Sequence, residues 1–412
     1  MLLGFQMSHT MISPRVWSPR TIVLGALLLA IIFTAFSARR SRRNLASFPS
    51  WAIKAVVDDS VFEHTSSPFG LLHAPATLYT EKIRQSRLLD PNEATEVCGQ
   101  RRWTPWPNRQ THRKVYDLML INTELDWLEI RMAELENEVD YFVVVESRAS
   151  FTNLSKPLHL KENWNRFARW HSKMIYHLLN STDMVADNAW DRERFQRNSM
   201  YDQVLPFLQG EREPYFGDVI VVSDVDEIPR PSTIRALRNC QFPQKLTIMS
   251  RFYYYSFQWL HRDDQEWTAP SVTYYVGENT VRPSDLRDGR SGYPRLVNGG
   301  WHCSSCLPKL DDFVNKITSF SHVEYNQPEY TDRSKILQRV RGGLDLFDRG
   351  GEHYDRVDNN PDVPSYLLRP EQQEKFAYLL DRDPRSGNFL DYTEEDMGTG
   401  NSNNESSKSV DD

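Results

Sequence analysis

Between residues 115 and 145 the apolar positions change period twice. Val115 to Thr123 (VYDLMLINT) is a strand-like run. Leu125, Leu128, Met132, Leu135 and Val139 then fall at helical spacing along ELDWLEIRMAELENEVD. Tyr141 to Val145 (YFVVV) is strand-like again and is closed by Glu146. Strand, helix and strand in about thirty residues make a βαβ unit, which requires a parallel pair joined by a crossover. Lys173 to Leu179 (KMIYHLL) predicts a further strand and Trp190 to Leu205 a helix. Val219 to Val222 predicts a buried strand that ends in Asp224, Asp226 and Glu227 and exits through Pro229 and Pro231. The expected fold is α/β with a mainly parallel central sheet, and no internal repeat is present.

Open α/β sheets bind ligands outside the carboxyl ends of their strands. Glu124, Glu146 and Asp224 each lie just past a predicted strand end. Charge at a core strand's tip is costly unless it is used or solvated. In an extended chain Asp224 and Asp226 point to one side, and two such carboxylates suit a hard divalent cation, Mg²⁺ or Mn²⁺. The plainer alternative is a solvated strand end with a capping aspartate. An EF-hand loop starting at Asp224 is excluded, because Pro229 and Arg235 stand where it needs Gly and Glu. An aspartyl phosphatase would want a small hydroxyl residue where Ile228 stands. A glycosidase pair normally draws its acids from separate elements about 5 to 10 Å apart. Arg194 and Arg197, three apart, share a helix face and suit either phosphate oxygens or a charged surface. His302, in Gly299-Gly300-Trp301-His302-Cys303, is a third metal ligand or a packed histidine.

The chain has 412 residues and a formal net charge of −7, with nothing basic running through its body, which excludes nucleic acid as an expected partner. Thr21 to Phe36 carries no charge, and Ser37 and Ala38 can extend it into a span. Sixteen residues give about 24 Å of helix, short for a hydrocarbon core of about 30 Å. Two readings compete: a signal anchor over 21–38 behind a 1–20 cytoplasmic tail, or a cleaved signal peptide with a poor site at Ala35-Phe36-Ser37. The long leader favours the anchor. Arg39, Arg40, Arg42 and Arg43 outnumber Arg15 and Arg20, so a positive-inside count alone would turn the body to the cytoplasm. Residues 39–110 read as a stem or linker, 111–385 as the catalytic body, and 386–412 as a disordered acidic tail. Sequons at Asn153, Asn180 and Asn404 permit a lumenal location. Cys98, Cys240, Cys303 and Cys306 allow two disulfides, and the Cys303–Cys306 spacing suits a structural disulfide or free thiols better than a redox motif.

Eight stretches then occur in order: YDLMLINTELDWLEIRMAEL, VDYFVVVES, FTNLSKPL, WDRERFQRN, SDVDEIP, GGWHCSSC, RGGLDLFDR and PSYLLRPEQQEKFAYLLD. From about Val115 to Asp381 the chain thereby resembles glycosyltransferase family seventeen, least so between Arg251 and Arg295. The resemblance implies a GT-A-like nucleotide-sugar fold and a divalent metal, Mn²⁺ or Mg²⁺. It implies inverting transfer of N-acetylglucosamine from UDP-GlcNAc to a mannose of a glycoprotein N-glycan in β-1,4 linkage. It also implies a Golgi membrane protein with one N-terminal helix and a lumenal catalytic domain, against the arginine count. On that resemblance Asp226 holds the metal most directly, Asp224 binds ribose or metal, and His302 joins them at the metal or diphosphate. Glu124 and Glu146 line the nucleotide pocket, with Arg194 and Arg197 near uracil or phosphate. Inversion needs a carboxylate to take the acceptor's proton. Asp311 and Asp312, or Asp264 and Glu266 in HRDDQEW, are the candidates. A lumenal glycan-binding protein without catalysis and a metal-dependent phosphohydrolase are the alternative readings.

Overall fold

The computed structural model describes residues 71–73, 88–108 and 112–397. The expected tail, the anchor over 21–38, most of the stem and residues 398–412 lie outside them. Among the described residues no helix is long and apolar enough to cross a membrane.

Helix α1 (Pro91–Gly99) precedes β1 (Val115–Ile121), helix α2 (Leu125–Leu135), β2 (Tyr141–Glu146) and β3 (Met174–Leu178). Helix α3 (Ala189–Asp202), β4 (Val219–Val222), β5 (Glu227–Pro229) and helix α4 (Pro231–Asn239) follow. Next come β6 (Leu246–Tyr254), β7 (Ser256–His261), β8 (Ser271–Tyr274), helix α5 (Pro283–Asp288) and β9 (Arg295–Ser304). Helix α6 (Leu310–Ser319), helix α7 (Arg333–Gly342) and β10 (Tyr354–Arg356) complete the framework. The main sheet runs Leu71–His73, β3, β2, β1, β4, β8, β6, β7, β10. β3, β2, β1 and β4 are mutually parallel. β8 joins β4 antiparallel, and β6, β7 and β10 continue antiparallel. The sheet is therefore mixed: the mainly parallel expectation holds only for the half containing the βαβ unit.

In that half the pleat sorts side chains onto two faces. Val115, Met119, Phe142, Val144, Val219 and Val221 pack toward α2, and Tyr116, Leu118, Val143, Val145, Ile220 and Val222 toward α3. Both faces are covered, which is why these strands read as unbroken apolar runs. A third cluster, including Tyr255, Phe313, Ile317, Leu337 and Val340, lies beneath α6 and α7.

Two boundaries move. Residues 88–108, expected in the linker, are part of the fold: Asp90 and Glu93 form a capping box on α1, and Cys98 is disulfide-bonded to Cys240. Only Ala94 and Cys98 of α1 are buried, so its amphipathic signal is slight. Residues 386–397, expected in the disordered tail, are also folded. Asp391 accepts the N–H groups of Leu310 and Asp311 at the start of α6, and Asp396 pairs with Arg333. The second disulfide joins Cys303 to Cys306.

β9 lies between two strands, parallel to β6 and antiparallel to β5. A side-chain carbon at Gly300 would sit 2.6 Å from Ser250 Oγ and 2.7 Å from the Ile228 carbonyl oxygen. Gly299 and Gly300 thus let β9 enter this narrow slot and carry His302 to the level of Glu227.

Candidate active site

The chain leaves β1 through α2 to β2 on one side, and β4 returns on the other side of β1. The carboxyl ends of β1 and β4 therefore flank a topological switch point, where a crevice opens. Glu124 follows β1 and Asp224 follows β4, so the neighbouring strands bring these two acids to one edge.

Arg131 of α2 shapes the turn after β4. It is fully buried and forms a two-pronged pair with Asp117 in mid-β1, at 2.7 and 2.6 Å. Its remaining N–H groups donate to Ser223 Oγ and to the carbonyls of Asp224 and Glu227. The Glu227 N–H bonds the Asp224 carbonyl at 3.0 Å, closing a tight turn. The extended geometry expected for Asp224 and Asp226 is thereby corrected: the turn sends the two carboxylates different ways.

Asp224 faces two guanidiniums. Oδ1 accepts from Arg197 at 2.8 Å and Oδ2 from Arg287 of α5 at 2.6 Å, and the side chain keeps 39% exposure. Burial pushes its pKa up, but Arg197 and Arg287 outweigh this and hold it well below the usual carboxylate range. Glu227 is fully buried. It accepts from Arg287 and from Trp267 Nε1 and caps the Asp224 N–H. Burial raises its pKa too, and Arg287 more than reverses the effect.

Asp226 turns toward His302. Its carboxylate has no hydrogen-bond partner among the described residues, and burial, with Glu227, Asp224 and Glu124 nearby, raises it to about 7 against the pull of Lys316. His302 is sandwiched between Trp267 and Phe252, with ring centroids 4.6 and 5.3 Å away. Burial lowers its pKa to about 4, so the ring is neutral. Nδ1 is buried without a hydrogen-bond partner among the described residues, 3.8 Å from Asp226 Oδ1. That gap is too long for a hydrogen bond, while two donors each about 2.1 Å from one ion lie at most about 4.2 Å apart. An oxygen donor and an imidazole nitrogen, both unpartnered and facing each other, fit a Mn²⁺- or Mg²⁺-sized cation. Among the described residues no three such side chains converge, so the chain supplies this pair and Asp224 stands apart with its arginines.

The other expected residues scatter. Glu146 is buried and accepts from Tyr176 Oη and the N–H groups of Leu160 and Lys161, so it caps a short helix rather than presenting an open carboxylate. Glu124 accepts from the Asn122 N–H and keeps its place at the crevice. Arg197 is 5% exposed and reaches Asp224, whereas Arg194, at 61%, reaches only toward Asp288 at the surface. The shared helix face did not make a shared role. Asp264 is exposed, Glu266 meets the Asn298 N–H at 3.5 Å, and Asp311 is exposed and paired with Arg333. Asp312 alone of the four candidate bases is half-buried with no ion-pair or hydrogen-bond partner among the described residues. Burial raises it to about 6, Lys309 opposes, and Asp391, Glu124 and Asp126 add to the rise. Asn153 is exposed and Asn180 half-buried. Arg287 and Trp267 were not anticipated.

An α/β fold with an acid-and-arginine crevice at its switch point has its candidate site where open α/β sheets bind their ligands. The chain belongs to glycosyltransferase family 17, whose sequence pattern matches residues 88–383. It is similar to the human and rat proteins named β-1,4-mannosyl-glycoprotein 4-β-N-acetylglucosaminyltransferase, each 25% identical over 315 residues and covering 68% of this chain. The match spans 57% of the length of those relatives. A mannosyltransferase from Pyrobaculum calidifontis, solved with GDP-Man and Mn²⁺, is 12% identical over 71% of this chain and 78% of its own, with a TM-score of 0.29.

Proposed function

We propose that this chain is a metal-dependent inverting glycosyltransferase. It moves N-acetylglucosamine from UDP-GlcNAc to a mannose of an N-linked glycan in β-1,4 linkage, on the lumenal side of the Golgi membrane. The observation that carries this reading is the unpartnered Asp226 carboxylate facing the neutral, unpartnered His302 Nδ1 at the switch point. Asp226 and His302 would hold the divalent cation, which when bound neutralises charge on the donor's diphosphate. Asp224, fixed by Arg197 and Arg287 yet 39% exposed, retains lone pairs for a ribose hydroxyl. Asp312 takes the proton from the attacking acceptor hydroxyl as the bond from sugar C1 to the diphosphate oxygen breaks.

The test is UDP release by the full chain from a panel of UDP-sugars, with Mn²⁺ and with EDTA, with and without an N-glycan mixture. Mn²⁺-dependent release from UDP-GlcNAc, increased by the glycans, is expected. A folded protein that releases nothing from any donor would overturn the reading and favour a glycan-binding role.

Asp312 also sets an expected pH profile. The base works only when deprotonated, and its pKa is raised to about 6. Turnover at saturating donor should be full well above that value and fall about tenfold per pH unit well below it. Asp312→Asn should lower turnover by roughly 10²- to 10⁴-fold and remove this acid limb. An unchanged limb in that variant would reassign the base.

A further inference from the structure

Lys156 lies in the segment that follows β2. Its Nζ is buried and has no hydrogen-bond partner among the described residues, and the neighbouring charges that act on it are Glu146 and Glu124. Neither carboxylate hydrogen-bonds it: Glu146 accepts from Tyr176, Leu160 and Lys161, and Glu124 from Asn122. A buried ammonium with no acceptor is costly, and a well-formed fold rarely keeps one without a use. Lys316 stands on α6, one turn beyond Asp312, half-buried and also without an ion-pair or hydrogen-bond partner among the described residues. Its charge is felt at Asp226 and at the neutral His302 ring.

The segments carrying the two lysines touch. Thr152 Oγ1 donates to the Thr318 carbonyl at 3.1 Å. The same loop is fastened to α3, where Arg192 Nε donates to the Phe151 carbonyl at 2.5 Å and Gln196 to that of Ala149. Both lysines are thus carried by anchored backbone beside the Asp226–His302 pair and Glu124. By contrast, both guanidiniums at the switch point, Arg197 and Arg287, are already spent on Asp224, Glu193 and Glu227. Lys156 and Lys316 have no ion-pair partner among the described residues and are open to an incoming anion. A lysine's compact point charge suits phosphate oxygens without imposing the planar fork that arginine requires.

We infer that Lys156 and Lys316 together bind the diphosphate of a nucleoside-diphosphate donor. This rests on the proposed donor chemistry and adds two residues to it.

The experiment compares UDP with uridine, which lacks the diphosphate, by calorimetric titration of the full chain with Mn²⁺ present. Lys156→Met and Lys316→Met should each weaken UDP binding by at least about tenfold. Uridine binding should be unchanged, and Lys156→Arg and Lys316→Arg should recover most of the loss. Variants that bind UDP as the unaltered chain does would overturn the inference. So would an equal loss for UDP and uridine, which would place the lysines at the base or in the fold instead. Lys316→Met changes a half-exposed position and keeps the test open should Lys156→Met not fold. Failure of the unaltered chain to bind UDP or GDP would instead sink the donor reading, and the inference with it.

Discussion

Replacing Asp226 by asparagine is expected to reduce turnover by roughly three orders of magnitude while leaving the fold intact. The carboxylate makes no hydrogen bond to any described residue, so an amide of the same shape costs the structure little. What it loses is the charge that faces His302 Nδ1 across 3.8 Å. Two measurements on the purified chain separate this from a folding defect. Circular dichroism and the melting temperature should match the unaltered protein without metal. Added Mn²⁺ should raise the melting temperature of the unaltered protein but not of Asp226→Asn. Turnover above about a tenth of normal in the variant, or an undiminished Mn²⁺ shift, would remove Asp226 from the centre of the chemistry. Asp224→Asn is a poor substitute for this test, because it also leaves Arg197 and Arg287 short of a counter-charge.

The largest expected loss of stability comes from Arg131→Met. The guanidinium is buried, neutralises Asp117, and ties together β1 and the turn that bears the acids. Removing it strands a buried carboxylate, a change that costs about 3–5 kcal/mol. In a folded body of about 300 residues that corresponds to a melting temperature lower by roughly 5–8 °C. The double variant Arg131→Met, Asp117→Leu should recover much of that stability, since no lone charge remains. Activity should not return, because the carbonyls of Asp224 and Glu227 would still lack their donor. A melting temperature within about 2 °C of normal for Arg131→Met would show that the pair is not the keystone of the turn.

The parallel half of the sheet was legible because burial on both faces turns each strand into an apolar run. The antiparallel half was not. Its strands carry residues such as Thr247, Ser250, Gln258 and Thr273 among their apolar positions, and β9 opens with exposed residues before two glycines. That Glu124 and Asp224 follow strand ends was legible too, but how the acids around them are partnered was not. Glu146 looks like Glu124 in sequence, yet its oxygens meet a phenol and two backbone N–H groups that no spacing rule announces. Arg287 lies on a six-residue helix in the stretch least like the family, with no periodicity to mark it. Asp226 separates from Asp224 only because Arg131, some ninety residues earlier, bends the turn.

The Cys98–Cys240 bond has a mechanical consequence. Everything from β1 to α4, including Glu124, Lys156, Arg197 and Asp226, lies between those two cysteines, which are 142 positions apart in sequence. A pull applied before Cys98 and resisted beyond Cys240 would pass through the sulfur bridge and bypass that whole stretch. Tension along the chain would therefore leave the turn with Asp226 slack, and reduction of this one bond would put it under load.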